Sequence, residues 1–264
     1  MDPVRRAVGG DDGAVISYLV FDGALPAIVI LHGLAGSGRE FESTARALSG
    51  RMVVLIDQRG HGFSTREPAD TSRGAFIADA VRVIEAESLA PVDLVGQSMG
   101  AHTAMLVAAA HPDLVRRLVL LEANEGGGVP EGAEAIGEYF RSWEVPYADR
   151  EAAQAALGDG ELAQAWSADL EERPDGLYPR FDPEVMVATM AELAVPRWTE
   201  WESVAAPTLV IYADEGMFTE EQKIRFVSRG VRETRADLTG ASHDAHLDAF
   251  EDWIGALTGF LRAR

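Results

Sequence analysis

The chain has 264 residues, 47% of them hydrophobic and 25% charged, the composition of a folded globular protein with one large core. Its 43 acidic and 23 basic residues leave a formal charge of −20, which excludes nucleic acid and an anionic membrane as main partners because both would repel it. The absence of cysteine rules out disulfides, thiolate nucleophiles and cysteine-based metal sites.

The N-terminal stretch MDPVRRAVGGDDG lacks the apolar core of a signal peptide, and runs such as Ala27–Leu31 are too short to span a bilayer. A cytoplasmic protein is expected. Residues 14–21 (AVISYLVF) alternate like an exposed strand. The runs 27–31, 52–56, 92–96 and 118–122 are short, apolar and β-branched, as in strands buried on both faces of a parallel sheet. Helix-like segments lie between them at Glu40–Leu48, Ala75–Leu89 and Met99–Ala110. This alternation predicts an α/β fold with a mostly parallel sheet flanked by helices. From Ala123 to about Val204 no buried strand is evident. The stretch is helix-like and holds nine of the chain's 20 aromatic residues. The strand pattern resumes at Thr208–Tyr212, then a helix near Glu220–Ser228, a strand near Thr234–Leu238 and a helix at Asp248–Leu261. The reading is a sheet domain (1–122 and 204–264) interrupted by a helical insertion (123–203) over the sheet's C-terminal edge, where open α/β sheets place ligands.

Gly96-Gln97-Ser98-Met99-Gly100 lies between a strand and a helix, the setting of a nucleophile elbow. There Ser98 would stand at a helix N-terminus, whose N–H groups favour a developing negative charge. Acyl transfer needs two convergent oxyanion donors; the N–H groups of Met99, just after Ser98, and of Leu34, just after His32-Gly33, are the candidates. His32 reads as a loop-orienting residue, not a base. In the chain order Ser, acid, His, the base is expected in Gly240-Ala241-Ser242-His243, with His246 as the alternative. His102 and His111 read as packing or capping residues. Glu122 and Asp214, each at a strand end, compete for the acid that orients the imidazole.

His32-Gly33, Asp57-Gln58-Arg59-Gly60-His61-Gly62-Phe63-Ser64, the Gly96–Gly100 elbow and the Gly240–His243 loop together resemble the α/β-hydrolase fold superfamily along nearly the whole chain. The resemblance implies a helical cap (lid) formed by the insertion and hydrolysis by a Ser-His-acid triad without cofactor or metal. In this family an Asp usually stands where this chain has Gly216, in Ala213-Asp214-Glu215-Gly216-Met217-Phe218. A glycine there resembles haloalkane dehalogenase-like members and some serine lactonases, in which the acid ends the preceding strand. That likeness favours Glu122 over Asp214.

The expected activity is that of a serine esterase or lactonase acting on a small to medium apolar molecule, with Trp143, Tyr147 and Trp166 of the insertion lining its pocket. C–C bond hydrolysis, a lyase or synthase step and perhydrolysis are alternatives on the same triad. A non-catalytic ligand receptor is the alternative from another class. Monomer and homodimer both remain open.

Overall fold

The computed structural model describes residues 2–127 and 130–262. Among them, eight strands form one sheet: β1 (Val4–Gly9), β2 (Val15–Phe21), β3 (Ala24–Leu31), β4 (Arg51–Ile56), β5 (Val92–Gln97), β6 (Val115–Leu121), β9 (Thr208–Glu215) and β10 (Glu233–Ser242). Their order is β1-β2-β4-β3-β5-β6-β9-β10. From β4 to β10 all neighbours are parallel; β2 runs antiparallel to both β1 and β4.

The apolar runs follow from burial on both faces. Side chains alternate sides along a strand. Val29, Leu31, Val54, Ile56 and Leu94 therefore pack on one face, with α2 (Arg73–Ala86) and α3 (Met99–Ala110). Ile28, Ile30, Val53, Leu55 and Val95 pack on the other, with α1 (Glu42–Ala47), α10 (Ala245–Asp248) and α11 (Phe250–Arg262). The expectation that residues 14–21 form an exposed strand is corrected: β2 is buried from Ile16 to Phe21. The strand β1 covers its outer edge, Tyr18 packs into one core layer and Leu19 and Phe21 into the other.

Between β6 and β9 the chain forms α4 (Pro130–Arg141), α5 (Arg150–Leu157), α6 (Glu161–Asp169), the antiparallel hairpin β7 (Glu171–Arg173) and β8 (Gly176–Tyr178), α7 (Pro183–Leu193) and α8 (Trp198–Ser203). Two small apolar clusters hold this segment together. Phe140, Phe181 and Met186 close on Ala35 of the loop after β3, and Tyr147 packs with Ala153, Leu170 and Leu177. The last helix of the segment is different. Trp201 of α8 belongs to the main core, stacked at 4.3 Å on Phe226 of α9 (Glu220–Val227), with its indole N–H donating to the Phe226 carbonyl at 2.7 Å. By packing, the helical segment rejoins the sheet layer at α8, a few residues before 203.

Trp201 is 1% exposed, so Trp201→Ala removes a ring and a hydrogen bond from a filled site. A loss of about 3–5 kcal/mol is expected in denaturant unfolding, a cost typical of truncating a buried aromatic to alanine.

Candidate active site

The strand register assembles the site. Gln97 of β5 pairs with Leu121 of β6, and Leu121 pairs with Ile211 of β9. Ser98 and Glu122 each follow one of these paired residues, so they stand at adjacent strand ends, about 5 Å apart in the sheet direction. Their N–H groups continue the ladder, Ser98 to the Leu121 carbonyl and Glu122 to that of Ile211, both at 2.9 Å. Ser242 of β10 pairs with Glu215 of β9, which delivers His243 to the same edge.

Ser98 has φ 53° and ψ −117°, a left-handed conformation that strains any residue but glycine. The surrounding glycines make the turn sterically feasible. A Cβ on Gly96 would stand 2.3 Å from the Gly100 carbonyl oxygen, and one on Gly100 would stand 2.2 Å from that of Leu31. As the first residue of α3, Met99 has an N–H with no intrahelical acceptor. Leu34 and Met99 line the same cavity as Ser98, His243 and Glu122. That cavity has a volume of about 150 Å³, and Met190, Leu193, Met217 and Phe218 supply apolar wall.

His243 Nδ1 lies 3.2 Å from Glu122 Oε2. Glu122 also accepts from the Ala213 N–H through Oε1 and from the Met217 N–H through Oε2, both at 2.9 Å. Burial pushes its carboxyl pKa up, but the hydrogen bonds from His243, Ala213 and Met217 outweigh this, and the pKa falls below its ordinary value. An ionised Glu122 can only accept, so Nδ1 carries the proton and Nε2 is left as the basic nitrogen. Gly216 explains how the carboxylate fits: a Cβ there would stand 2.4 Å from Glu122 Oε2.

Asp214 is exposed and instead accepts from the Gly240 N–H at 2.7 Å. His246 stacks on Phe41 at 4.2 Å, away from the cavity. Burial lowers its pKa to about 4 and raises that of Glu40, 3.7 Å away, to about 8. His32 is fixed by its own loop. Its Nδ1 lies 2.7 Å from the Gly33 carbonyl, and its Nε2 accepts from the Gln58 N–H at 3.0 Å.

The family model for the alpha/beta hydrolase fold matches residues 26–250. The chain belongs to the alpha/beta hydrolase fold family. It is 30% identical over 269 aligned residues to sn-1-specific diacylglycerol lipase ABHD11 of Mus musculus, covering 93% of this chain and 85% of that one. It is 28% identical to pyrrolizixenacetamide deacetylase of Xenorhabdus hominickii over 261 aligned residues, covering 94% and 95% of the two chains. Its fold matches the crystal structure of E-2-(acetamidomethylene)succinate hydrolase with a TM-score of 0.89 at 22% identity, covering 99% and 100%. By sequence it is 25% identical to 2-(acetamidomethylene)succinate hydrolase of Mesorhizobium japonicum over 267 aligned residues, covering 96% and 94% of the two chains. No helix among the described residues is long and apolar enough to cross a membrane.

The three aromatic residues expected to line the pocket do not reach this hydrolase cavity. Trp143 and Trp166 meet edge-to-face at 5.1 Å, and the Trp166 indole N–H donates to the Ala35 carbonyl at 3.0 Å. The gap beside them holds about 10 Å³, too little for a substrate. Tyr147 is 4% exposed and pairs with Leu177 of the hairpin. These rings are consumed in joining short helices that have no other core. The residues that do wall the cavity, Met190, Leu193, Met217 and Phe218, come from α7 and the loop after β9. His102 also lines the cavity, contrary to its reading as a packing residue. Gln97 was not singled out either. Its side-chain amide donates to the His243 carbonyl at 3.2 Å, tying the histidine loop to the elbow. Its place beside Ser98 in the motif is the one signal that could have found it.

The depressed Glu122 pKa fixes a sign. The ionised carboxylate adds stability above its ordinary value of 4.5, and that increment is lost as pH falls through the depressed value. In denaturant unfolding, the stability gap between wild type and Glu122→Gln is therefore expected to be full at pH 7 and to shrink below pH 4.5. A gap that widens on acidification contradicts this account.

Proposed function

We propose that the chain is a serine hydrolase of carboxylic esters or lactones, acting through Ser98, His243 and Glu122 and an acyl-enzyme. The observation that carries the reading is the Glu122 carboxylate, held at 2.9 Å by two backbone N–H groups and at 3.2 Å by His243 Nδ1, beside the strained Ser98 in one cavity. His243 Nε2 takes the Ser98 proton as Oγ attacks the carbonyl carbon. The Leu34 and Met99 N–H groups receive the oxyanion. The imidazolium returns its proton to the leaving alkoxide, and water activated by the same nitrogen then cleaves the acyl-enzyme. Glu122 stabilises the imidazolium and fixes the tautomer throughout.

A cavity of about 150 Å³ suits a small acyl group, and Leu34, Met190, Leu193, Met217 and Phe218 suit its apolar part. The mouse relative's name, a diacylglycerol lipase, supports ester cleavage as the reaction class. The helical segment 123–203 contributes Met190 and Leu193 to the wall, which supports its reading as a cap.

Ser98→Ala is expected to lower kcat for a short-chain ester by about 10⁴–10⁶-fold and to abolish labelling by a fluorophosphonate. Glu122→Gln is expected to cripple ester turnover, with Asp214→Asn close to wild type. Full esterase activity in Ser98→Ala overturns the nucleophile. A crippled Asp214→Asn beside an active Glu122→Gln overturns the acid.

A further inference from the structure

One wall of the cavity holds polar groups that the proposed triad does not use. His102 lies one helical turn beyond Ser98 on α3, and its backbone N–H donates to the Ser98 carbonyl at 3.0 Å. Residues four apart share a helix face, and helical side chains lean toward the N-terminus, so this imidazole leans toward the Ser98 end. It is 4% exposed and lines the cavity. Neither ring nitrogen makes a well-formed hydrogen bond, although the Glu125 carbonyl lies near the ring. A buried polar group left unsatisfied in this way is costly, and buried polar groups are otherwise nearly always paired.

The groups around His102 give it a charge preference. Arg73 of α2 is 2% exposed, and among the described residues its hydrogen bonds go to a hydroxyl and a carbonyl, not to a carboxylate. Its Nη2 reaches the Thr103 hydroxyl and, at 3.5 Å, the Met99 carbonyl, and its guanidinium sits 4.5 Å from the centre of the Phe76 ring. Its Nε and Nη1 have no partner. Arg197 pairs with Glu200 at 3.2 Å, yet its Nε is also buried without a partner. Burial first, then the positive charges of Arg73 and Arg197, push the His102 pKa well below its ordinary value, against a smaller upward pull from the Glu125 carbonyl. The imidazole is therefore neutral at pH 7, with one N–H to donate. Glu192 faces Arg73 and offsets part of its charge.

We propose that His102 anchors a carboxylate of the substrate inside the Ser98 cavity, in the positive field of Arg73 and Arg197. The inference rests on the hydrolase reading above and narrows its substrate class to short esters bearing a free carboxylate. Along the axis of α3 the backbone positions of nucleophile and anchor are four residues, about 6 Å, apart. The two carboxyl carbons of an extended five-carbon diacid span a similar distance. A glutarate half-ester therefore places its ester carbonyl at Ser98 and its carboxylate at His102, with its methylenes beside Leu193 and Met190.

The test compares monoethyl glutarate with ethyl pentanoate, which has the same chain length and no charge. Wild type is expected to favour the half-ester at least tenfold in kcat/KM. In His102→Ala that ratio should fall at least tenfold, whereas His102→Gln, which keeps an N–H, should retain most of it. A wild-type preference for ethyl pentanoate, or an unchanged ratio in His102→Ala, overturns the anchor. Equal turnover of ethyl 5-hydroxypentanoate and the half-ester overturns the requirement for charge. Fluorophosphonate labelling of Ser98 separates the two claims. If Ser98 is not labelled and no ester is cleaved, the hydrolase reading fails. The anchor is then read from calorimetric binding of the same two esters to Ser98→Ala, where equal affinities overturn it and a tenfold preference for the half-ester upholds it.

Discussion

One carboxylate organises the site. The oxygens of Glu122 are held by two backbone N–H groups from the β9 end and by the His243 ring. A buried carboxylate is tolerated only when its lone pairs are satisfied, and these three donors satisfy them. The arrangement depends on an absence: no side chain at Gly216, where a Cβ would stand 2.4 Å from Oε2. The acid thus reaches from β6 into a space that a side chain on the next strand would otherwise fill.

The rest of the edge is set by register. Pairing of Gln97 with Leu121, Leu121 with Ile211 and Ser242 with Glu215 fixes where each strand ends, and Ser98, Glu122 and His243 follow those ends by one residue. Packing on both sheet faces locks that register, because a slip of one residue would exchange the two apolar layers. Ser98 and Glu122 both adopt positive φ at these exits, at 53° and 51°, and such strained positions persist only where the surroundings over-determine them. The loop Asp57–Ser64 ties the elements beneath the edge together. Gln58 donates to the His32 carbonyl at 2.7 Å, and Arg59 grips Asp79 of α2 with two hydrogen bonds, at 2.7 and 2.8 Å.

The parallel strands were legible in the sequence because strands buried on both faces must be continuously apolar, as in residues 27–31 and 52–56. The elbow was legible because its steric demands allow few residue types. The edge strand β1 (VRRAVG) was missed: a solvent-facing strand carries little apolar signal, and this one is exposed at Val4 through Ala7. The cavity wall was misread for a related reason. Aromatic enrichment reports buried area, not what that area faces, and the rings of α4 and α6 pack against each other, Phe140 with Trp166 at 6.1 Å. The apolar part of the wall is built mainly of Met and Leu, which read like any core residue. His102 was hidden because one polar residue on the apolar α3 face has no periodicity of its own. Its role rests on poorly paired nitrogens and buried guanidinium neighbours, which only three-dimensional placement reveals.

The charge of −20 also reads differently against the structure. Most acids lie on helix faces and loops, but the cavity wall at His102 has two guanidinium groups near it. Global charge therefore does not describe the local field. The most direct test of the central claim moves the acid from one strand end to the other. Glu122→Gly and Gly216→Asp are made singly and together, and ester kcat/KM is measured for each. Each single change is expected to cost at least 10²-fold, the first by removing the acid and the second by crowding it. The double change is expected to recover a substantial part of the loss. Wild-type activity in Glu122→Gly alone would contradict the account.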